Sequence, residues 1–110
     1  MTAKPVVPRE QANRDIVDPL AHYLSEGAES APFGLINVLE QAYTSISRHP
    51  ASGSQPYAHE LNLPGLRLWP LARYPYLVFY GERPDHIDVW RVLHGMHDIP
   101  AWMREPDESP

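Results

Sequence analysis

The sequence predicts an α+β domain: an N-terminal short strand and an antiparallel helical hairpin packed on one face of a small, mostly antiparallel β-sheet. Apolar residues recur at helical spacing through the first half of the chain. From Leu66 to Pro100, short apolar or alternating runs are separated by turn residues, which is typical of strands. A run of helices followed by a run of strands favours the α+β class.

The length of 110 residues predicts one domain with a single core. We expect this 1–110 domain to be ordered over residues 4–103, and the acidic end, 104–110, to be a disordered tail. The 13 prolines are well above the average share of about 5% of residues, and many of them mark the ends of elements.

The first elements are a short strand at 5–7 and a helix from Arg9 onward. The apolar stripe of this helix consists of Ala12, Ile16, Leu20, Tyr23 and Leu24. Pro19 interrupts it, because a proline inside a helix removes a hydrogen bond and clashes with an earlier carbonyl, at a cost of about 3 kcal/mol. We therefore expect a kink or restart, with Asp18 as N-cap and Pro19 as the first helical residue, and a helix end at Gly27.

A second helix is predicted from Ala31 or Pro32 to Arg48, with Ser30 as its cap. Its buried face consists of Leu35, Leu39, Ala42, Tyr43 and Ile46. The short connection between the helices predicts an antiparallel hairpin. Residues 51–65 are rich in Pro, Gly, Ser and Asn and indicate a loop of about fifteen residues, long enough to be functional or mobile.

Three antiparallel strands are predicted after this loop. The first, 66–72, alternates, with one face formed by Leu66, Leu68 and Pro70 and the other by Arg67, Trp69 and Leu71. The second, 76–80, is almost continuously apolar and is predicted to be central, between turns at 73–75 and 81–85. The third, 86–94, alternates between one face with Ile87, Val89, Arg91 and Leu93 and another with Asp88, Trp90, Val92 and His94.

Gly95 ends the third strand, and residues 99–103 are expected to form a short turn or helix. The helical hairpin covers one face of the sheet, and no other predicted element covers the second face. Because Trp69 and Trp90 are costly to leave in water, we infer that a partner segment covers that face.

The composition excludes several classes of protein. There is no cysteine, which excludes disulfides and removes the commonest zinc ligand, and we expect no cofactor. No segment resembles a signal peptide or a membrane span, so no membrane association and a cytoplasmic protein are expected. The net charge of −5 argues against a direct grip on nucleic acid, although four arginines against three acidic residues between 66 and 94 leave room for a modest basic patch.

The order of several motifs resembles the ParE branch of the RelE/ParE toxin superfamily. The first helix matches it at Pro8, Ala12, Asp15-Ile16 and Tyr23, and Pro50-x-x-Gly53 follows the second helix. The sheet matches at Gly65-Leu66-Arg67-x-Trp69-Pro70-Leu71, at Tyr74-Pro75-Tyr76-Leu77-Val78-Phe79-Tyr80 and at Val89-x-Arg91-Val92-Leu93-His94-Gly95-x-x-Asp98-Ile99. The resemblance extends from about Lys4 to Ile99, and the ending RVLHG-x-x-D is its most specific part.

This resemblance implies the toxin of a bacterial type II toxin–antitoxin system, in a hetero-oligomer with a ParD-like antitoxin whose C-terminal segment wraps over it. ParE-like members are known for poisoning DNA gyrase rather than for an enzymatic activity of their own, whereas the RelE-like branch cleaves messenger RNA on the ribosome. The first reading, a gyrase-binding toxin, needs no nucleophile, metal or strong positive field, in agreement with the composition.

Six residues are predicted to bind a partner: Arg67, Trp69, Arg73, Tyr74, Trp90 and Arg91. A structural role is the alternative for some of them. Arg67 and Arg91 could pair with carboxylates such as Asp98 or Asp15 and so hold the sheet to the helices. The two tryptophans are expected to be packed, by the protein's own core or by the antitoxin, and not to contact gyrase.

The alternative reading is a ribosome-dependent ribonuclease with no metal. Cleavage through the 2′-hydroxyl needs a general base, a general acid and a cation, which Arg67, Arg91, His94 and His97 could supply. However, the strand region has no lysine, which RelE-like members use, and the acidic net charge gives poor attraction to the ribosome.

A metal site at His94-x-x-His97-Asp98 is also conceivable from the spacing, since imidazole binds zinc or nickel. Gly95 ends the strand at this point and no third protein ligand is evident, so no metal is predicted. We expect His94 to be hydrogen-bonded in the corner that follows the strand.

Overall fold

A four-stranded mixed β-sheet is the centre of the computed structural model, which describes residues 3–25, 31–96 and 99–104. The elements are β1 (Val6–Pro8), α1 (Glu10–Asp15), α2 (Val17–Ser25), α3 (Ala31–Arg48), a 3-10 turn (Pro50–Ser52), β2 (Arg67–Pro70), β3 (Tyr76–Glu82), β4 (Ile87–His94) and α4 (Ile99–Arg104). The strand order is β1-β4-β3-β2, with β1 parallel to β4 and the other pairs antiparallel. The predicted α+β class and the interior position of β3 are confirmed.

The first helical segment is interrupted, as predicted, but at Ile16 and without the predicted cap. α1 ends at Asp15 and α2 begins at Val17, so Asp18 is already helical and the assignment of Asp18 as N-cap is wrong. Pro19 is the third residue of α2, where a backbone N–H has no acceptor inside the helix. The proline therefore removes no hydrogen bond, and the helix need not restart at it.

The predicted apolar face of α3 packs against the sheet. The helix-side core is formed by Ala12, Leu35, Leu39, Ala42, Ile46, Leu71, Val78, Tyr80, Ile87, Val89 and Val92. Ile16, Leu20 and Tyr23 pack against this core from the first helical segment, and Tyr43 does so from α3. The helical periodicity in the first half of the sequence therefore located the buried face correctly.

The second face of the sheet has its own cover, contrary to the sequence-based expectation. Its core is formed by Leu66, Leu68, Phe79, Leu93 and Ile99. The loop after α3 packs Tyr57, Leu61 and Leu63 against this core, and α4 adds Met103. The expectation that no element of the chain covers this face is wrong, because an irregular loop and the predicted C-terminal helix pack against it.

β4 contains a bulge at Trp90 that changes which side chains share a face. Phe79 and Tyr80 of β3 pair with the residues on either side of Trp90, which is left without a pairing partner. The helix-side core consequently takes three residues of β4: Ile87, Val89 and Val92. Leu93 lies in the second-face core, so its predicted grouping with Ile87 and Val89 is wrong.

The turn before β4 is shorter than predicted. β3 continues to Glu82, and the turn is closed by the N–H of Arg83, which donates to the carbonyl of His86 at 2.8 Å. The predicted helix end at Gly27, the cap at Ser30 and the tail beyond Arg104 lie outside the described residues.

Candidate functional site

The β2–β3 turn carries two residues that were predicted to bind a partner, Arg73 and Tyr74. The N–H of Leu71 closes this turn by donating to the carbonyl of Tyr76 at 2.9 Å. Arg73 has a φ of 68°, in the left-handed region, and its side chain is exposed. This conformation costs an L-residue about 1–2 kcal/mol, so the fold presents an arginine at a position where glycine would be easier to accommodate.

Tyr74 connects the turn to the helices. Its ring meets that of Tyr23 edge-on, with the centroids 5.7 Å apart and the planes at 73°. Gly34 of α3 leaves room for the Tyr74 hydroxyl, since a Cβ at this position would lie 2.5 Å from it. α2 and α3 therefore fix the position of the turn that displays Arg73.

Tyr76 and His94 pair across β3 and β4 at the same end of the sheet. Their rings are in edge contact, with centroids 5.1 Å apart and planes at 84°. The N–H of Met96 donates to Nδ1 of His94 at 3.0 Å, which places the hydrogen of the neutral ring on Nε2. Burial, with a smaller contribution from Tyr23, raises the pKa of Tyr76. The predicted hydrogen-bonded corner at His94 is confirmed.

A cleft with a volume of about 680 Å³ opens between the first two helices and this end of the sheet. The helices contribute Arg14, Val17, Asp18 and His22 to its lining, and the strands contribute Tyr76 and His94. We call it the α1–α2 cleft. Its volume is within the range of ligand pockets, and its lining combines aromatic rings, apolar groups and charges.

Asp15 also lines this cleft and forms a buried ion pair with Arg91. Nε and Nη2 of Arg91 donate to the two carboxylate oxygens, each at 2.9 Å, and the N–H of Val92 donates to Oδ2 at 2.9 Å. Only 8% of Arg91 is exposed. The alternative prediction for Arg91, that it pairs with Asp15 to hold the sheet to the helix, is confirmed.

Arg67 binds backbone and not a carboxylate. Its Nη1 donates to the carbonyl of Ala51 at 3.0 Å and to that of Gly53 at 2.7 Å. The predicted pairing of Arg67 with a carboxylate is wrong, because β2 runs beside the turn after α3 and the carbonyls of that turn are nearer acceptors.

The two tryptophans among the predicted partner-binding residues are packed by the protein itself. Trp69 lies against the helix-side core and Trp90 against the second-face core. Trp90 also donates its indole N–H to Oδ2 of Asp88 at 3.0 Å, and the guanidinium of Arg9 lies over its ring, 4.9 Å from the centroid. The expectation that both residues are packed is confirmed.

Asp88 organises a network of donors that the sequence did not reveal. Nε and Nη2 of Arg9 donate to its two oxygens at 3.0 and 2.9 Å, and Nη2 of Arg83 approaches Oδ2 at 3.4 Å. An acidic residue within an apolar strand was a signal that it has a partner. Arg9 could not be identified as that partner, because it is 79 residues away in sequence.

Acid should weaken the fold through Asp88. Burial opposes its ionisation, but hydrogen bonds and the charge of Arg9, helped by Trp90 and Arg83, outweigh burial and lower the pKa of Asp88. Its stabilising effect is therefore present above the unfolded-state pKa of about 3.9 and is lost as pH falls through the folded-state value. We expect Asp88→Asn to flatten the fall in unfolding free energy below about pH 4, as measured by urea unfolding, while the exposed control Glu40→Gln retains the wild-type slope.

Arg67, Arg91 and His94, which the ribonuclease alternative requires in one active site, do not lie together. Arg67 pairs with Tyr80 and His94 pairs with Tyr76, so about 13 Å of strand β3 separates the two positions. Arg91 is bound to Asp15, and His97 lies outside the described residues.

Residues 3–25, 31–96 and 99–104 were searched for metal-binding groups and for membrane-spanning helices. In these ranges no group of three or more His, Cys, Asp or Glu side chains could hold a metal ion. The helices in these ranges also include none that is long and apolar enough to cross a membrane. His97 and Asp98, which belong to the conceivable metal motif, fall between the described ranges.

Residues 6–99 match the family model described as the ParE toxin of the type II toxin–antitoxin system parDE. A solved structure of the chromosomal ParDE toxin–antitoxin system from P. aeruginosa is similar in fold, with a TM-score of 0.68 and 14% sequence identity. The match covers 84% of this chain and 96% of that chain. No curated protein sequence matches this chain.

Proposed function

This chain belongs to the ParE toxin family of type II toxin–antitoxin systems, and we propose that it binds and poisons DNA gyrase in the cytoplasm. In this proposal a ParD-like antitoxin neutralises it in a hetero-oligomer, and the toxin acts by occupying a protein surface and not by catalysis. The engagement of Arg67 and Arg91 in internal contacts supports a binding mechanism, because neither guanidinium is turned towards a common reaction centre.

The observation that carries the proposal is the exposed arginine at the β2–β3 turn. No described residue pairs with the side chain of Arg73. Its backbone is in the left-handed region, which glycine adopts with less strain than arginine does. In this proposal the exposed guanidinium binds another molecule, which accounts for an arginine at this position. Arginine and tyrosine are also the residue types enriched where binding energy is concentrated in protein interfaces.

The six predicted partner-binding residues take different parts in this proposal. Arg73 and the half-buried Tyr74 contact the target. The other four, Arg67, Trp69, Trp90 and Arg91, are positioning residues that hold the loop, the sheet and α1 behind that surface.

Inducible expression with and without the antitoxin tests the target. Expression alone should arrest growth, induce the SOS response and leave gyrase-linked DNA breaks, and co-expression of the antitoxin should restore growth. Rapid loss of translation with cleaved messages would instead support the ribonuclease alternative. Growth unaffected by expression would contradict both toxin functions.

Replacing Arg73 with glycine should separate stability from toxicity. We expect Arg73→Gly to raise the free energy of unfolding by about 0.5–1 kcal/mol, because glycine relieves a strain of about 1–2 kcal/mol but loses about 0.5–1 kcal/mol more backbone entropy on folding. The same change should raise the concentration needed to inhibit purified gyrase by about tenfold or more, since it removes an interface arginine. Arg48→Ala, which removes an exposed arginine at the end of α3, is the control and should leave inhibition unchanged. Full potency of Arg73→Gly would exclude this turn from the target interface.

A further inference from the structure

The α1–α2 cleft is a formed site that the proposed contact with gyrase does not use. It has a volume of about 680 Å³, and Tyr76, His94 and His22 are among the residues that line it. The aliphatic side chain of Val17 on its rim is 57% exposed. A cleft with aromatic walls and an apolar rim is suited to a side chain that has both an apolar stem and a polar head.

Among the described charges around the cleft, one carboxylate has no counter-charge. Arg14 is paired with Glu10 at 2.6 Å, and Asp15 is paired with Arg91 at 2.9 Å, so these four groups compensate one another. Asp18 is exposed on the cleft wall, and no described residue forms an ion pair or hydrogen bond with its side chain.

The helix ends do not neutralise Asp18. The N-terminus of α2 alone would offset about half a charge. However, α1 ends at Asp15 and α2 begins at Val17, so the negative end of one helix lies beside the positive end of the other and their fields largely cancel. The cleft therefore has a net negative character and attracts a cation.

The aromatic walls favour the same sign of ligand. Tyr76 lines the cleft, and a tyrosine ring attracts a cation that lies over its face or lets a planar guanidinium stack on it. An acidic side chain would be repelled by the carboxylate of Asp18. Charge and aromatic surface therefore select a basic side chain, and arginine before lysine.

We propose that the α1–α2 cleft receives a basic side chain, preferably arginine, from the antitoxin, with its head group at Asp18 and its stem along Val17 and Tyr76. This inference rests on the proposed antitoxin partnership and specifies the chemistry of one contact. In this proposal the antitoxin binds at the α1–α2 cleft, and gyrase binds at the turn that carries Arg73.

Affinity for the antitoxin encoded beside this gene tests the anchor directly. We expect Asp18→Asn to weaken binding by about tenfold and Asp18→Lys by about a hundredfold, because the first removes a charge pair and the second makes it repulsive. Tyr76→Leu should also weaken binding, through the loss of the ring. The control Asp85→Asn changes the same chemical group beyond the opposite end of β4, more than about 20 Å away, and should bind as the wild type does. Thermal unfolding of each variant checks that the fold is intact.

A second measurement does not depend on the antitoxin. Titration with N-acetyl-arginine methylamide should shift the NMR signals of Asp18, Tyr76 and His94, while the neutral analogue N-acetyl-citrulline methylamide should leave them in place. The Asp18→Asn variant should lose this discrimination. Equal shifts with both probes, or no shift with either, would contradict a cation site.

The two measurements separate the failure of this inference from that of the proposed function. If the wild type binds the antitoxin and the Asp18 and Tyr76 variants bind equally well, the anchor is refuted and the partnership stands. If the wild type does not bind the antitoxin, the partnership fails, and the arginine and citrulline probes alone decide whether the cleft selects a cation.

Discussion

Replacing Asp15 with alanine is expected to lower the free energy of unfolding by about 3–5 kcal/mol. The carboxylate accepts two hydrogen bonds from Arg91 and one from the backbone N–H of Val92, all at 2.9 Å. With alanine in its place, the Arg91 guanidinium would remain in a site where only 8% of the residue is exposed. The penalty therefore comes mainly from a buried guanidinium that has lost the carboxylate paired with it, and urea unfolding at neutral pH measures it.

A double-mutant cycle identifies this cause. Asp15→Ala combined with Arg91→Met removes both charges and keeps an apolar side chain in the space, so the double variant should recover much of the stability that either single change loses. Arg14→Ala breaks the neighbouring exposed pair with Glu10 and should cost less than about 1 kcal/mol. Additive losses in the cycle would show that Asp15 acts through something other than Arg91.

The helices of this protein could be predicted because their signal is local. The apolar spacing of α3 alone located its buried face, and Pro19 alone indicated a break nearby. The exact position of the break could not be predicted, since a proline is tolerated at any of the first positions of a helix.

The errors in the sheet have a nonlocal cause. A bulge is a property of two paired strands. The sequence around Trp90 does not indicate that Phe79 and Tyr80 pair with the residues on either side of it. In the same way, Tyr57, Leu61 and Leu63 have neither helical nor strand periodicity, so their role as cover for the second face depends on the finished fold.

The candidate site was predicted unevenly for the same reason. The position of Arg73 and Tyr74 in a turn could be predicted, because turn residues are recognisable in the sequence. The α1–α2 cleft was not found, because it is formed by residues of two short helices and two strand ends that no single motif unites.

The turn after α3 shows how a small residue can be required by a distant side chain. Gly53 is buried, and a Cβ on it would overlap the Tyr80 hydroxyl and lie 3.0 Å from the carbonyl of Leu68. That hydroxyl accepts a hydrogen bond from the N–H of Gly53 at 3.1 Å and donates one to the carbonyl of Pro50 at 2.7 Å. Tyr80 is fully buried in the helix-side core and cannot move aside.

Gly53→Ala is therefore expected to lower the free energy of unfolding by about 2–5 kcal/mol, from overpacking and from the loss of buried hydrogen bonds. Gly95→Ala is the matched control, because its Cβ would lie 3.7 Å from the carbonyl of Pro75, an ordinary contact. Tyr80→Phe alone should cost about 1–3 kcal/mol by leaving the N–H and carbonyl of the turn unsatisfied. Combined with Gly53→Ala it should cost less than the sum, since both changes remove the same bonds.

The consequence of Gly53→Ala should extend beyond stability to the edge of the sheet. Ser54 follows Gly53 and exchanges hydrogen bonds with Leu68 of the edge strand β2, at 3.2 and 2.9 Å. If the turn is displaced, these backbone groups lose their partners and the edge can pair with another chain. We expect Gly53→Ala to self-associate in light scattering at concentrations where Gly95→Ala remains monodisperse. A Gly53→Ala protein as stable and monodisperse as this control would show that Tyr80 does not hold the turn in place.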